Sequence, residues 1–134
     1  MQQRSEETRN RILNTANDLF SRCGYEATGV AEICLAAGVS KGAFYHHFPS
    51  KQAVFMELLN TYLNGIDSGF YLMRQQVQDV PQAILQMAEM VGSLFQSANI
   101  HLPIFLEFWT QARRDPQVWD LTVAPFRRYE AYFA

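Results

Sequence analysis

Between Gly24 and Pro49 the chain is interrupted three times, at Gly24, Gly38 and Pro49. Glycine takes the left-handed backbone that ends a helix, and the residue before a proline is pushed out of the α region. The pieces between these breaks begin with capping residues. Thr28 can cap a helix running to about Ala37, and Ser40 one running to about Phe48. Helices this short do not persist alone, so neighbours must hold them. Two short helices joined by a glycine-containing turn, with a longer helix as brace, form a helix-turn-helix arrangement.

The second short helix has two unlike sides. With Phe44 at zero on a wheel of about 100° per residue, Phe48 falls near 40° and shares its buried stripe. Gly42 and His46 lie opposite, and Tyr45 and His47 lie on the flanks. The outer side carries a cation (Lys41), a phenol, two imidazoles and a glycine. That composition makes a poor core and suits a DNA groove. Flank positions reach groove walls, so Tyr45 and His47 are expected at phosphate oxygens. Lys41 and Lys51 start helices, where free backbone N–H groups also attract phosphate. Gly42 permits close approach to base edges, Ala43 offers a methyl contact to thymine, and His46 can hydrogen-bond to a purine.

The brace is a helix over residues 5–23, with Ile12, Ala16, Leu19 and Cys23 at helical spacing. Its Arg4, Arg9 and Arg11 read as a solvated face or as phosphate contacts at the groove rim. After Pro49, Ser50 caps a long helix with an apolar stripe at Val54, Phe55, Leu58, Leu59, Tyr62, Leu63, Ile66 and Phe70. Asp79-Val80-Pro81 opens another, with Ile84, Met87, Ala88, Val91, Leu94 and Phe95 on one side. Pro103 opens the next, apolar around most of its circumference from Ile104 to Arg113 and therefore central. His101, just before it, reads as a capping or loop residue. Asp115-Pro116 starts the last, in which Pro125 forces a break or kink. No stretch alternates like a strand. The fold class is all-α, with a three-helix head over residues 1–51 joined by a long helix to a helical domain over residues 52–134.

Charge and aromatic content divide at the same place. The net charge of −2 splits into six Lys/Arg against five Asp/Glu up to residue 51, a balance of +1, and five against eight beyond it, a balance of −3. A basic surface is therefore confined to the head. Thirteen of the eighteen aromatics follow residue 51, so the larger hydrophobic store is in the second part.

The spacing Gly24-Tyr25, Thr28, Ile33, Ala37-Gly38-Val39-Ser40-Lys41-Gly42, Phe44-Tyr45-His46-His47-Phe48 and Ser50-Lys51 resembles the TetR family of bacterial transcriptional regulators over roughly residues 8–59. The resemblance implies a homodimeric repressor whose two heads read half-sites of a palindromic operator. It implies also that a small molecule in the second domain releases the DNA. Carried over by position, Thr28, Lys41, Tyr45, His47 and Lys51 match phosphate-contacting positions, and Gly42, Ala43 and His46 match positions near base edges. Ser40 caps the reading helix among them. The sequence departs from the family pattern at Gly29, which lacks a frequent hydroxyl, at Phe44, usually leucine, and at Gln52, frequently glutamate.

Other classes find little support. The first fifteen residues are polar and charged rather than signal-like, and Met90 to Leu106, the longest stretch without Asp, Glu, Lys or Arg, contains Gln96, Asn99, His101 and Pro103. The expected location is the cytoplasm, with no membrane partner. Cys23 and Cys34 are expected reduced and buried. Adjacent helical histidines point about 100° apart and have no acidic or thiol partner at i+4, which argues against metal at His46-His47. No nucleophile–base pair, carboxylate pair or glycine-rich phosphate loop marks an enzyme, and no cofactor is implied. The competing reading is a purely structural helical interaction module without DNA binding. The effector is expected to be small and apolar or aromatic. Its candidate contacts are Tyr62, Ile66, Phe70, Met87, Met90, Phe105, Phe108 and Trp109, with Glu107 able to pair with a cationic ligand. The apolar pattern running to Tyr132-Phe133-Ala134 reads as a chain cut short, and the resemblance implies that the family's last two, dimerising helices are incomplete or absent.

Overall fold

The computed structural model describes the backbone of residues 2–76, 78–96 and 98–131. For residues 70, 73, 91, 93–96, 98–102 and 129 only the backbone is described, so the side chains of Phe70, Leu94, Phe95 and His101 lie outside the described set. Seven helices and no strand occur among the described residues. They fall into two compact units, Met1–Leu59 and Asn60–Ala134.

In the first unit, α1 (Gln2–Cys23) buries Ile12, Ala16 and Phe20, spaced by four so that they share a face. Gly24 ends it in the left-handed conformation (φ 88°) and donates its N–H to the Phe20 carbonyl at 3.0 Å. Helix α2 (Val30–Ala37) buries Ile33, Cys34 and Ala37. Its N-cap is Gly29, one residue later than the sequence suggested. Thr28 instead turns inward, only 1% exposed, and its hydroxyl donates to the Gly24 carbonyl at 2.8 Å. The expected Thr28 cap is thus replaced by a bond that closes the α1–α2 turn. Gly38 (φ 67°) ends α2, with Gly38 and Val39 donating to the Leu35 and Cys34 carbonyls at 3.3 and 3.0 Å.

Helix α3 (Lys41–His47) starts at Ser40, whose Oγ accepts the Ala43 N–H at 3.0 Å. Phe44 and Phe48 are buried on its inner side. Ser50 likewise accepts the Ala53 N–H at 3.1 Å and opens α4 (Lys51–Gln76). Val54, Phe55 and Leu59 of α4 are buried, and the Phe55 ring lies 6.2 Å from Phe20 and 4.8 Å from Tyr25. These rings carry the first compact unit past residue 51 to Leu59. Cys34 is buried as expected, but Cys23 is exposed, because it is the last residue of α1 and falls beyond the packed face.

In the second unit, the remainder of α4 is followed by α5 (Val80–Gln96), α6 (Ala98–Arg114) and α7 (Pro116–Ala131). Asp79 and Asp115 cap α5 and α7, each accepting a backbone N–H at 2.9 Å. Leu63, Ala83, Ile104, Phe108, Ala112, Val118, Thr122 and Pro125 are buried. Three expectations change. Helix α6 begins at Ala98 rather than at Pro103, so His101 lies within a helix and not in a loop. A proline this early forfeits one bond, to the Asn99 carbonyl, next to the turn whose N–H groups are unpaired anyway. Helix α7 does not break at Pro125, one of the two outcomes expected there; the ring is fully buried, so packing opposes the loss of its backbone bond. Helix α5 turns Ile84 (61% exposed), Met87 and Ala88 outward and buries Ala83 instead. Its apolar residues spread over much of its circumference, so spacing alone does not select a face, and a small alanine allows close helix approach.

Candidate nucleic-acid interface

The wheel drawn for α3 is realised. Phe44 is 0% exposed and its ring packs 6.1 Å from Phe48 and 5.3 Å from Tyr45. Opposite it, Gly42 and His46 are exposed. Tyr45 is 53% exposed despite its ring, and His47 and Ala43 are half-buried. Ser40 and Lys41 are exposed at the helix start. The structure therefore brings Ser40, Lys41, Gly42, Ala43, Tyr45, His46 and His47 onto one outward side of one short helix. The imidazoles of His46 and His47 stand 5.0 Å apart and nearly perpendicular, at 79°.

Two expected contacts are placed differently. Thr28 is buried, so its side chain is not presented to a ligand of the free head. Lys51 is half-buried, its Nζ donating to the Tyr25 carbonyl at 2.9 Å and lying 4.1 Å from the centre of the Tyr25 ring. That ammonium ties the start of α4 to the α1–α2 turn, a cation–π contact combined with a hydrogen bond. Arg9, offered above as solvated or as a phosphate contact, has an internal partner too. It pairs with Glu57 of α4 at 3.0 Å, and its guanidinium sits 5.1 Å over the Phe48 ring. Arg9 thus braces the C-terminal end of α3. Nothing in the local sequence signals either link, because the partners are far apart along the chain. Arg4, Arg11 and Lys41 are exposed and make no ion pair among the described residues.

The electrostatics of the outer side follow from this packing. Partial burial, then the neighbouring His46 and Arg9, hold the His47 imidazole below the ordinary histidine range. Burial pushes up the Tyr25 phenol, with Glu26 adding to it. Among the described residues no three His, Cys, Asp or Glu side chains converge as metal ligands, and no helix is long and apolar enough to cross a membrane.

The second unit gathers part of the expected effector contacts. Tyr62 packs 5.7 Å from Phe105 and 5.2 Å from Phe108, and Phe105 packs 6.1 Å from Trp109. Burial pushes the Tyr62 phenol up to about 12. Phe108 is fully buried core, whereas Tyr62, Ile66, Phe105 and Trp109 are half-buried. Half-buried Met90 approaches α4 where Gly69 leaves room, since a Cβ there would meet its sulfur at 3.4 Å. Met87 points outward. Glu107 is half-buried and accepts the Gln111 amide at 3.4 Å. Sequence reasoning missed Trp119 and Phe126 of α7, whose rings lie 5.9 and 6.2 Å from Trp109. They stand seven residues apart on one helix face, a spacing that could have drawn attention to them.

Comparison with known proteins agrees with this geometry. Residues 12–58, spanning from the middle of α1 to the first turns of α4, match the model of bacterial regulatory proteins of the tetR family. Over 118 residues, 88% of this chain, the sequence is 30% identical to the HTH-type transcriptional regulator UidR of Escherichia coli K12, of which it covers 58%. The structure of Salmonella enterica GusR superposes with a TM-score of 0.78 at 26% identity, over 93% of this chain and 63% of that one. A protein from Saccharomonospora viridis, solved in complex with choline, shares the fold (TM-score 0.74, 24% identity, 92% of this chain and 65% of that one). The chain thus spans about three fifths of the relatives it matches. Residues 12–58 thus form the helix-turn-helix head of the tetR family of bacterial regulatory proteins, and the all-α fold beyond it is shared with solved proteins of this kind.

Proposed function

We propose that this chain is a ligand-released repressor that binds a palindromic DNA operator as a homodimer, with α3 as its reading helix. The carrying observation is the outer side of α3. A cation, a phenol and two imidazoles surround an exposed glycine there, opposite a fully buried ring. Lys41, Tyr45 and His47 supply phosphate contacts, and Gly42, Ala43 and His46 meet the base edges. Lys51 joins the phosphate set where its ammonium leaves Tyr25, and Thr28 shapes the turn beneath. Few long polar side chains face the bases, so specificity draws also on the paired heads and on DNA shape. Two such heads read half-sites about one helical turn apart or a little more, and a footprint with one unrepeated half-site contradicts the dimer.

Salt-dependent binding tests the phosphate assignments. Lys41→Ala is expected to weaken every duplex similarly and to lower the slope of log affinity against log salt by about one. An unchanged slope removes Lys41 from the phosphate set. His46→Ala acts differently. It is expected to relax preference at one position per half-site by roughly 1–3 kcal/mol, read from affinities for operators altered there. Equal weakening of all duplexes moves His46 to the phosphate class.

The released state is attributed to a small apolar or aromatic ligand at Tyr62, Ile66, Phe105 and Trp109, with Glu107 selecting a cation. Aromatic faces attract ammonium groups, and a carboxylate at the rim adds charge. The shared fold of the choline-bound protein supports room for such a ligand in this architecture.

A further inference from the structure

The adjacent imidazoles on α3 carry a consequence for regulation at the same surface, and it rests on the DNA-binding reading above. We propose that DNA binding by this head takes up a proton at His47, so that operator affinity rises as pH falls. The geometry is specific to this pair. The two rings lie 5.0 Å apart on the outward side of one helix, opposite the buried Phe44. His47 lies on the flank and faces the groove wall, and His46 lies at the centre of the outward side. In the free head partial burial, then His46 on its own helix and Arg9 from α1, opposes protonation of His47. Arg9 is in turn paired with Glu57 of α4, so part of its charge is answered there.

DNA reverses this balance. A duplex presents phosphates to both flanks of a reading helix, and an anion within about 4–6 Å favours the charged imidazole. The proton is therefore held more tightly in the complex than in the free head. By linkage, affinity rises as pH falls through the value in the complex, and levels off below the value in the free head. The free value of His47 lies below the ordinary histidine range, so the rise extends into mildly acidic solution. Stability of the free head moves the opposite way. Its His47 binds a proton less readily than the unfolded chain does, so the head loses stability as pH falls through the ordinary histidine value. Opposite signs separate proton-linked binding from a general effect of acid on the fold.

The test measures affinity and proton uptake together. A labelled duplex recovered from random sequence by the full chain is titrated between about pH 7.5 and about pH 5.5, the range over which histidine changes charge. One proton taken up over that range tightens binding by about tenfold per pH unit at the steepest point. Calorimetry in two buffers of different ionisation heat gives the proton count directly. The double substitution His46→Gln/His47→Gln is expected to bind less tightly and with an affinity flat against pH. The substitution His47→Lys, permanently charged, is expected to bind more tightly than His47→Gln and to lose the pH dependence. His101→Gln, in the other unit, leaves the pH dependence unchanged. Binding without proton uptake, or a double variant that keeps the wild-type pH dependence, overturns the proposal while leaving DNA binding intact. Absence of binding at every pH overturns the DNA-binding reading itself.

Discussion

Replacing Phe44 by alanine is expected to cost the head about 3–5 kcal/mol, the range for truncating a fully buried phenylalanine. The ring is 0% exposed and contacts Phe48 and Tyr45. Helix α3 has seven residues and cannot hold itself, so its position on the head depends on the Phe44 and Phe48 rings. Small domains have little to spare: total stability is about 5–15 kcal/mol, and a unit of this size sits toward the low end. Phe44→Ala should therefore shift the folded-to-unfolded ratio by on the order of a thousandfold, since about 1.4 kcal/mol is a factor of ten. Duplex affinity should fall with it. Phe44→Leu should cost less, roughly 1–1.5 kcal/mol, because a branched aliphatic chain refills most of the volume. Far-ultraviolet circular dichroism on heating and on denaturant addition reads both changes. If Phe44→Ala melts like the wild type, the ring is not the anchor of α3.

The part of this chain that was legible in the sequence is the part governed by local rules. Ser40 and Pro49 bracket α3, and helical spacing alone puts Phe44 inward and His46 outward. Ser50, Asp79 and Asp115 cap their helices as read, because a short polar side chain before an apolar repeat has few other uses. What escaped depends on partners distant in the chain. Lys51 meets the carbonyl of Tyr25, 26 residues away, and Arg9 meets Glu57 across two helices. Both were legible as cations, but their direction was not. Thr28 had two local options, a cap for α2 or a bond back to Gly24, and the closed turn selects the second. The face of α5 was ambiguous for another reason: among its described side chains Val80, Ile84, Leu85 and Met87 are exposed while Ala83 is buried, and spacing alone does not choose between them. Neither Pro103 nor Pro125 bounds its helix. Pro103 and Pro125 each remove one backbone bond, a penalty that helix position and burial can offset.

Release by ligand is the other large effect expected. An effector that separates operator from protein acts through a coupling free energy of typically 1–3 kcal/mol, a change in operator affinity of about 5–150-fold. It must bind the DNA-free state more tightly, since equal affinity for both states shifts nothing. Helix α4 is the available link, being one continuous helix that gives Val54, Phe55 and Leu59 to the first unit and Tyr62 and Leu63 to the second. The rings of Phe105 and Phe108 meet Tyr62, so a ligand lodged among them acts directly on that helix. The role proposed for Glu107 is to discriminate by charge. Its carboxylate accepts the Gln111 amide, and glutamine in its place keeps the shape and loses the charge. Hydrophobic ammonium ions and their uncharged carbon isosteres should be titrated against the operator complex of the wild type and of Glu107→Gln. The expected result is release by the ammonium ions in the wild type and a loss of most of that release in the variant, with the uncharged isosteres affecting both proteins alike. Equal release by cations in both proteins removes Glu107 from the ligand site. Failure of every apolar compound, charged or not, to weaken the operator complex removes the Tyr62, Phe105 and Trp109 cluster from induction altogether.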